Sequence, residues 1–63
     1  MEFIRLTNWY DKNAVYINIA HITALNWDEV RGRTVVVSTY NYDLTVTETP
    51  ETILQMIEEL NGN

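Results

Sequence analysis

Cysteine is absent from this chain, and histidine, proline and glycine are nearly so: one, one and two among 63 residues. Each shortage removes a class of protein. Without cysteine there is no disulfide staple, and a single histidine argues against a structural zinc site. Cations are scarce as well. Arg5, Lys12, Arg31 and Arg33 face nine acidic residues, for a net charge of −5. Nucleic-acid binding draws on a basic stripe that displaces counterions from phosphates, and an anionic membrane surface attracts the same cations. This chain has no such stripe, so neither partner is expected. No apolar run approaches the ~18 residues of a membrane span. Met1–Leu6 lacks the basic and then apolar pattern of a secretory leader, so a cytoplasmic location is expected.

What is present is a hydrophobic fraction of 46%, which is globular rather than disordered. Residues 1–63 are read as one small domain. Area scaling gives roughly 10,700 Å² unfolded and about 4,200 Å² folded. With ~60% of the difference apolar, burial contributes on the order of 95–100 kcal/mol. Ordering the chain costs about 95 kcal/mol. The two nearly cancel, and chains this short usually carry a staple. With disulfide and metal set aside, self-association is the one that remains.

The chain holds no repeat, linker or low-complexity segment. Residues 3–9 read as a strand, with Ile4 and Leu6 alternating with Arg5 and Thr7. Tyr10-Asp11-Lys12-Asn13 is a turn, because Asp and Asn side chains bond nearby backbone and tolerate the left-handed region. Residues 14–19 resume alternation, with Val15, Ile17 and Ile19 opposite Tyr16 and Asn18, and complete a hairpin. Around Ile19-Ala20-His21-Ile22 a tight bend aims a third strand over 22–28. Asp28 to Gly32 form a polar turn in which Gly32 supplies positive φ. Residues 34–39 are the most β-branched stretch, and 42–47 alternate after a turn at Tyr40-Asn41. The period then changes. Thr49 before Pro50 fits an N-cap with proline at the first helical position. Ile53, Leu54, Ile57 and Leu60 recur at helical spacing with Met56 beside them, and Asn61-Gly62 is a stop. The expected fold is α+β: a four- or five-stranded antiparallel meander with one C-terminal helix packed on one face.

Catalytic signals are thin. His21 has no second histidine or cysteine beside it and reads as a polar residue at a bend. Asp28, Glu29 and Asp43 could pair for acid/base work, but two of them lie in or near a turn, where charges are solvated. Ser38, the only serine, sits mid-strand without a glycine-flanked elbow. There is no glycine-rich phosphate loop. Glu51, Glu58 and Glu59 on the helix suit either a solvated face or a surface for a basic partner, the last two standing at the end that the dipole disfavours. No enzyme activity and no cofactor are expected.

The seven aromatic residues are more informative. Tyr16 alternates out of phase with Val15 and Ile17, and Trp27 is in phase with Leu25. If the helix covers the aliphatic face, rings are left on the other, and an exposed aromatic patch marks an interface. Cross-strand ring pairing that only stabilises the sheet is the competing reading. Trp9, Tyr16, Trp27, Tyr40 and Tyr42 are the interface candidates.

Four segments carry a resemblance: Ile4-Arg5-Leu6-Thr7-Asn8, Asn18-Ile19-Ala20-His21-Ile22, Thr34-Val35-Val36-Val37, and Val46-Thr47-Glu48-Thr49-Pro50-Glu51-Thr52. In this pattern the chain resembles the small bacterial flagellar proteins of the FlbD/SwrD type over nearly its whole length. It departs from them in lacking their hairpin-turn glycines and in its heavier aromatic load. The resemblance implies a small cytoplasmic protein without a known catalytic residue, and no site residue is carried over. The last hairpin and helix also look like the end of LytTR DNA-binding domains, a use the acidic balance opposes. The expected function is a non-enzymatic protein–protein interaction domain that forms a homo-oligomer through an aromatic sheet face or strand edges. The alternative is an acidic decoy or inhibitor that occupies a basic groove on a partner.

Overall fold

A computed structural model describes residues 2–39 and 43–62. Strand β1 (Phe3–Thr7) pairs antiparallel with β2 (Ala14–Asn18), Ile4 opposite Ile17 and Leu6 opposite Val15. Both pairs point inward, as the alternation requires, and Arg5 and Tyr16 face each other on the outer side. The turn between them is built by side chains. Asn8 Oδ1 accepts the N–H groups of Tyr10 and Asp11 at 2.8 and 3.2 Å, and Asp11 Oδ1 accepts that of Asn13 at 3.0 Å. With Asn8 and Asp11 so occupied, the left-handed position of the turn falls on Lys12, at φ 63°, although asparagine or aspartate takes it more readily.

The bend after β2 is one turn of 3-10 helix, Ile19–His21, capped by Asn18 Oδ1, which accepts the Ala20 N–H at 3.0 Å. It delivers the chain into β3 (Ile22–Asp28), which pairs with β4 (Arg33–Ser38), and β4 pairs with β5 (Asp43–Val46), all antiparallel. Gly32, at φ +67°, closes the β3–β4 turn and donates its N–H to the Asp28 carbonyl at 2.8 Å. The five strands are therefore divided, in the orders β1-β2 and β3-β4-β5, and are not one continuous meander. Among the described residues one isolated backbone bridge, between Asn8 and Val46, links the two sheets. Two hydrogen bonds flank it: Trp9 N–H to the Thr45 carbonyl at 2.8 Å and Thr47 N–H to the Thr7 carbonyl at 3.0 Å. Strand β1 thus ends at Thr7, two residues before its alternation pattern does. The turn expected at Tyr40-Asn41 lies outside the described residues.

Helix α1 (Pro50–Gly62) begins as its sequence requires: Thr49 Oγ1 accepts the Thr52 N–H at 3.2 Å. The helix packs beside β3 and buries Ile53 completely, with Met56 and Ile57 partly covered. Leu54 and Leu60 remain 58% and 38% exposed, so the covering stripe is narrower than the four-residue spacing suggests. Ile53 closes a core of Ile4, Leu6, Val36, Leu44 and Val46. The exposed area, 4322 Å², is close to the ~4,200 Å² that scaling assigns to a compact chain of this mass.

Candidate functional site

Alternation and register together decide where each ring goes, and they send the rings to three places. Tyr16 stands on the outer face of β1–β2, directly across from Arg5, with Phe3 at the diagonal position on the same face. Tyr16 is 65% and Phe3 49% exposed. Diagonal neighbours on a sheet are within reach of aromatic side chains. The core and α1 lie against the opposite side of this hairpin, where Ile4 and Leu6 are buried.

Trp9 belongs to a second group at the tip of the first hairpin. Two cations lie over its ring, Lys12 Nζ 4.6 Å and the Arg33 guanidinium 4.9 Å from its centroid. Lys12 Nζ also donates to the Trp9 carbonyl. Tyr10 meets Trp9 edge-on at 5.5 Å, and its hydroxyl oxygen accepts from Arg33 Nη1 at 3.3 Å. A ring engaged on this scale by cations joins the hairpin to the β3–β4 turn.

Trp27 is in a third place. Its partner in register is the buried Thr34, so it shares the core-facing side of its sheet with Leu25 and Val36, and it is 46% exposed because β3 is the sheet's edge. Trp9, Tyr16 and Trp27 therefore do not form a single aromatic face. Tyr40 and Tyr42 lie outside the described residues. Phe3 and Arg5 were legible partners of Tyr16, since they share its face by simple period two; attention to Tyr16 alone passes over them.

The carboxylates do not gather. Asp28 is held by Arg33 Nε at 3.2 Å and Arg31 Nη1 at 3.4 Å, and it accepts the Arg31 N–H at 3.2 Å. Partial burial pushes its pKa up, but the Arg31 N–H, the Arg31 guanidinium and the Arg33 guanidinium outweigh that and leave it below the usual 3.8. A depressed carboxyl contributes stability above its unfolded pKa and loses it as pH falls through the folded value. Stability measured by urea unfolding from about pH 5 down to pH 2 should therefore drop less steeply in Asp28→Asn than in the native chain. Glu29 is exposed at the same turn and Asp43 is exposed at the start of β5. Among the described residues no group of three His, Cys, Asp or Glu is placed to hold a metal. His21 closes the 3-10 turn, with Nδ1 3.0 Å from Thr39 Oγ1, and its carbonyl accepts the Thr39 N–H at 2.8 Å. Ser38 is buried at the end of β4.

An open groove, about 480 Å³, runs between β3 and α1 and is lined chiefly by Ile19, Ile22, Ala24, Leu25, Leu54 and Ile57. Its lining is aliphatic apart from Thr23, whose hydroxyl donates to the Val37 carbonyl, and among the described residues it holds no acid/base pair. Among the described residues no helix is long and apolar enough to cross a membrane. The described residues thus include exposed features of different chemistry: an aromatic hairpin face, a tryptophan met by two cations at the turns, and a mainly aliphatic groove beside an edge strand. Comparisons of the chain with protein-family models, with curated proteins and with solved structures found no match.

Proposed function

We propose that the protein is a small cytoplasmic, non-enzymatic interaction domain that pairs with a second copy of itself through the outer face of β1–β2. The observation that supports this reading is Tyr16, two-thirds exposed, opposite Arg5 and diagonal to Phe3 on a face the core does not use. A two-fold contact places the same patch on both sides. Arg5 of one copy then reaches the Tyr16 ring of the other, while Phe3 adds apolar area. Tyrosine and arginine are the residue types that dominate interface energies.

Sedimentation velocity at micromolar concentration tests it. The native chain should sediment as a dimer. Tyr16→Glu should weaken association by about 2 kcal/mol, roughly thirtyfold, with an unchanged circular dichroism spectrum because the side chain is exposed. Tyr16→Phe should leave the dimer intact. A native chain that stays monomeric, or a Tyr16→Glu chain that still pairs, overturns the proposal.

A further inference from the structure

The geometry points to the groove between β3 and α1 as a docking site for a short extended apolar segment of another protein flanked at its two ends by Lys or Arg. This site is separate from the hairpin face and does not depend on the dimer. Strand β3 is an edge: it pairs with β4 on one side, and among the described residues no strand takes the other. Edges are commonly blunted by proline, by lysine or by bulges. The register slips once, between Ile22 and Ala24, where Thr23 is the extra residue and its Oγ1 donates to the Val37 carbonyl at 3.1 Å. From Ala24 to Trp27 the strand then runs regular, uncharged and without proline. Its outer N–H and C=O groups form a template for one more strand.

Side chains of an added strand alternate between the two faces of the sheet. On the helix side every second one enters the aliphatic groove against Leu25, Leu54 and Ile57. This explains why Leu54 is left open on a helix whose neighbour Ile53 is wholly buried. Charge then selects the partner. Glu51 and Glu58 stand three residues before and four after Leu54, on its own stripe of the helix, and α1 carries no Lys or Arg. The bias extends beyond the helix: all four cations precede residue 34, and the chain after that point holds five acidic residues and no basic one. A basic segment is drawn to this rim. A second copy is not, because pairing β3 with its own twin would bring two such helices side by side on one face.

Titration of the isotopically labelled chain with a synthetic peptide of about eight residues, with valine at the helix-facing positions between a lysine at each end, tests the site by amide shifts. Shifts are expected along residues 24–27 and over α1, and raising salt from about 50 to about 500 mM should weaken binding roughly tenfold. Three comparisons decide it. A peptide with glutamate for lysine should bind at least about tenfold more weakly. A lysine peptide with alternate backbone nitrogens methylated should lose binding to a similar degree, because strand addition needs its N–H groups. Leu54→Lys, a change at an exposed position, should bind the lysine peptide at least about tenfold more weakly than the native chain. Equal binding in any of these comparisons overturns the site. So does an absence of shifts on β3, or β3 shifts that depend on protein concentration alone, which would make the occupant a second copy. The same titration on Tyr16→Glu keeps the two questions apart: that chain should take the peptide as the native one does, whatever its oligomeric state.

Discussion

Replacing Leu6 with alanine is expected to remove about half or more of the protein's stability. Leu6 is fully buried, on the inner face of β1, in the cluster that holds Val46, Val36 and Ile53. A buried leucine truncated to alanine costs about 2–5 kcal/mol, the upper part when the space cannot collapse. Here collapse is resisted from several sides. Beta1 is held to β2 by the full ladder, and its end is tied to β5 by the Trp9 and Thr47 hydrogen bonds. A domain of this length has roughly 3–9 kcal/mol in total, so one methyl-bearing side chain accounts for a large share of it. Urea unfolding followed by far-ultraviolet circular dichroism should show the midpoint fall by half or more, with little change in slope. Leu54→Ala makes the control: the same truncation at an exposed position of α1 should cost well under about 1 kcal/mol.

The second large effect is expected at Glu48. This residue lies in the connection between β5 and α1, yet its carboxylate reaches back to β1. Oε1 accepts the Thr7 N–H at 3.0 Å and Oε2 accepts from Thr7 Oγ1 at 2.9 Å. Its carbonyl meanwhile accepts from Oγ1 of the fully buried Thr34 at 2.6 Å. One residue therefore ties the first strand, the central strand and the entry to the helix. Hydrogen bonds to a charged acceptor are worth about 1.5–3 kcal/mol each, and a half-buried N–H left without a partner adds to the loss. Glu48→Ala should destabilise the fold by about 3 kcal/mol. Glu48→Gln should cost about 1 kcal/mol, because its amide oxygen still accepts the Thr7 N–H and its amide nitrogen can donate to the threonine hydroxyl. Similar losses for the two variants would show that the side chain acts by packing and not as an acceptor.

Much of this architecture could be read from short stretches. The period-two runs, the Thr49-Pro50 helix start, the glycine at position 32 and the bend before Ile22 are set by neighbours within a few residues, where backbone sterics and side-chain caps act. Glu48 shows where such reading stops. Nothing near it in sequence says that its carboxylate bonds to a threonine 41 positions away. Trp9 was a plausible interface ring by composition, but Arg33 covers one of its faces, and that contact spans two turns on different strand pairs. Leu54 fits the apolar stripe of α1 by spacing, and only the position of β3 under the helix shows that the stripe is narrower.

Local order along the chain was enough to establish the class of fold, the element boundaries to within a residue or two, and the inward positions of Ile4, Leu6 and Ile53, whereas the Val35-Val36-Val37 run left its inward residue to the tertiary structure. Charge content carried the expectation against nucleic-acid and anionic-membrane partners, because those interactions depend on the number and sign of charges more than on where each one sits. The division into two sheets, the separation of the rings into three environments and the open groove beside β3 came from tertiary packing alone. Each depends on which strand edges are left unpaired after β1 meets β5 and on which side α1 lies. These are contacts between residues far apart in sequence, and no local pattern encodes them.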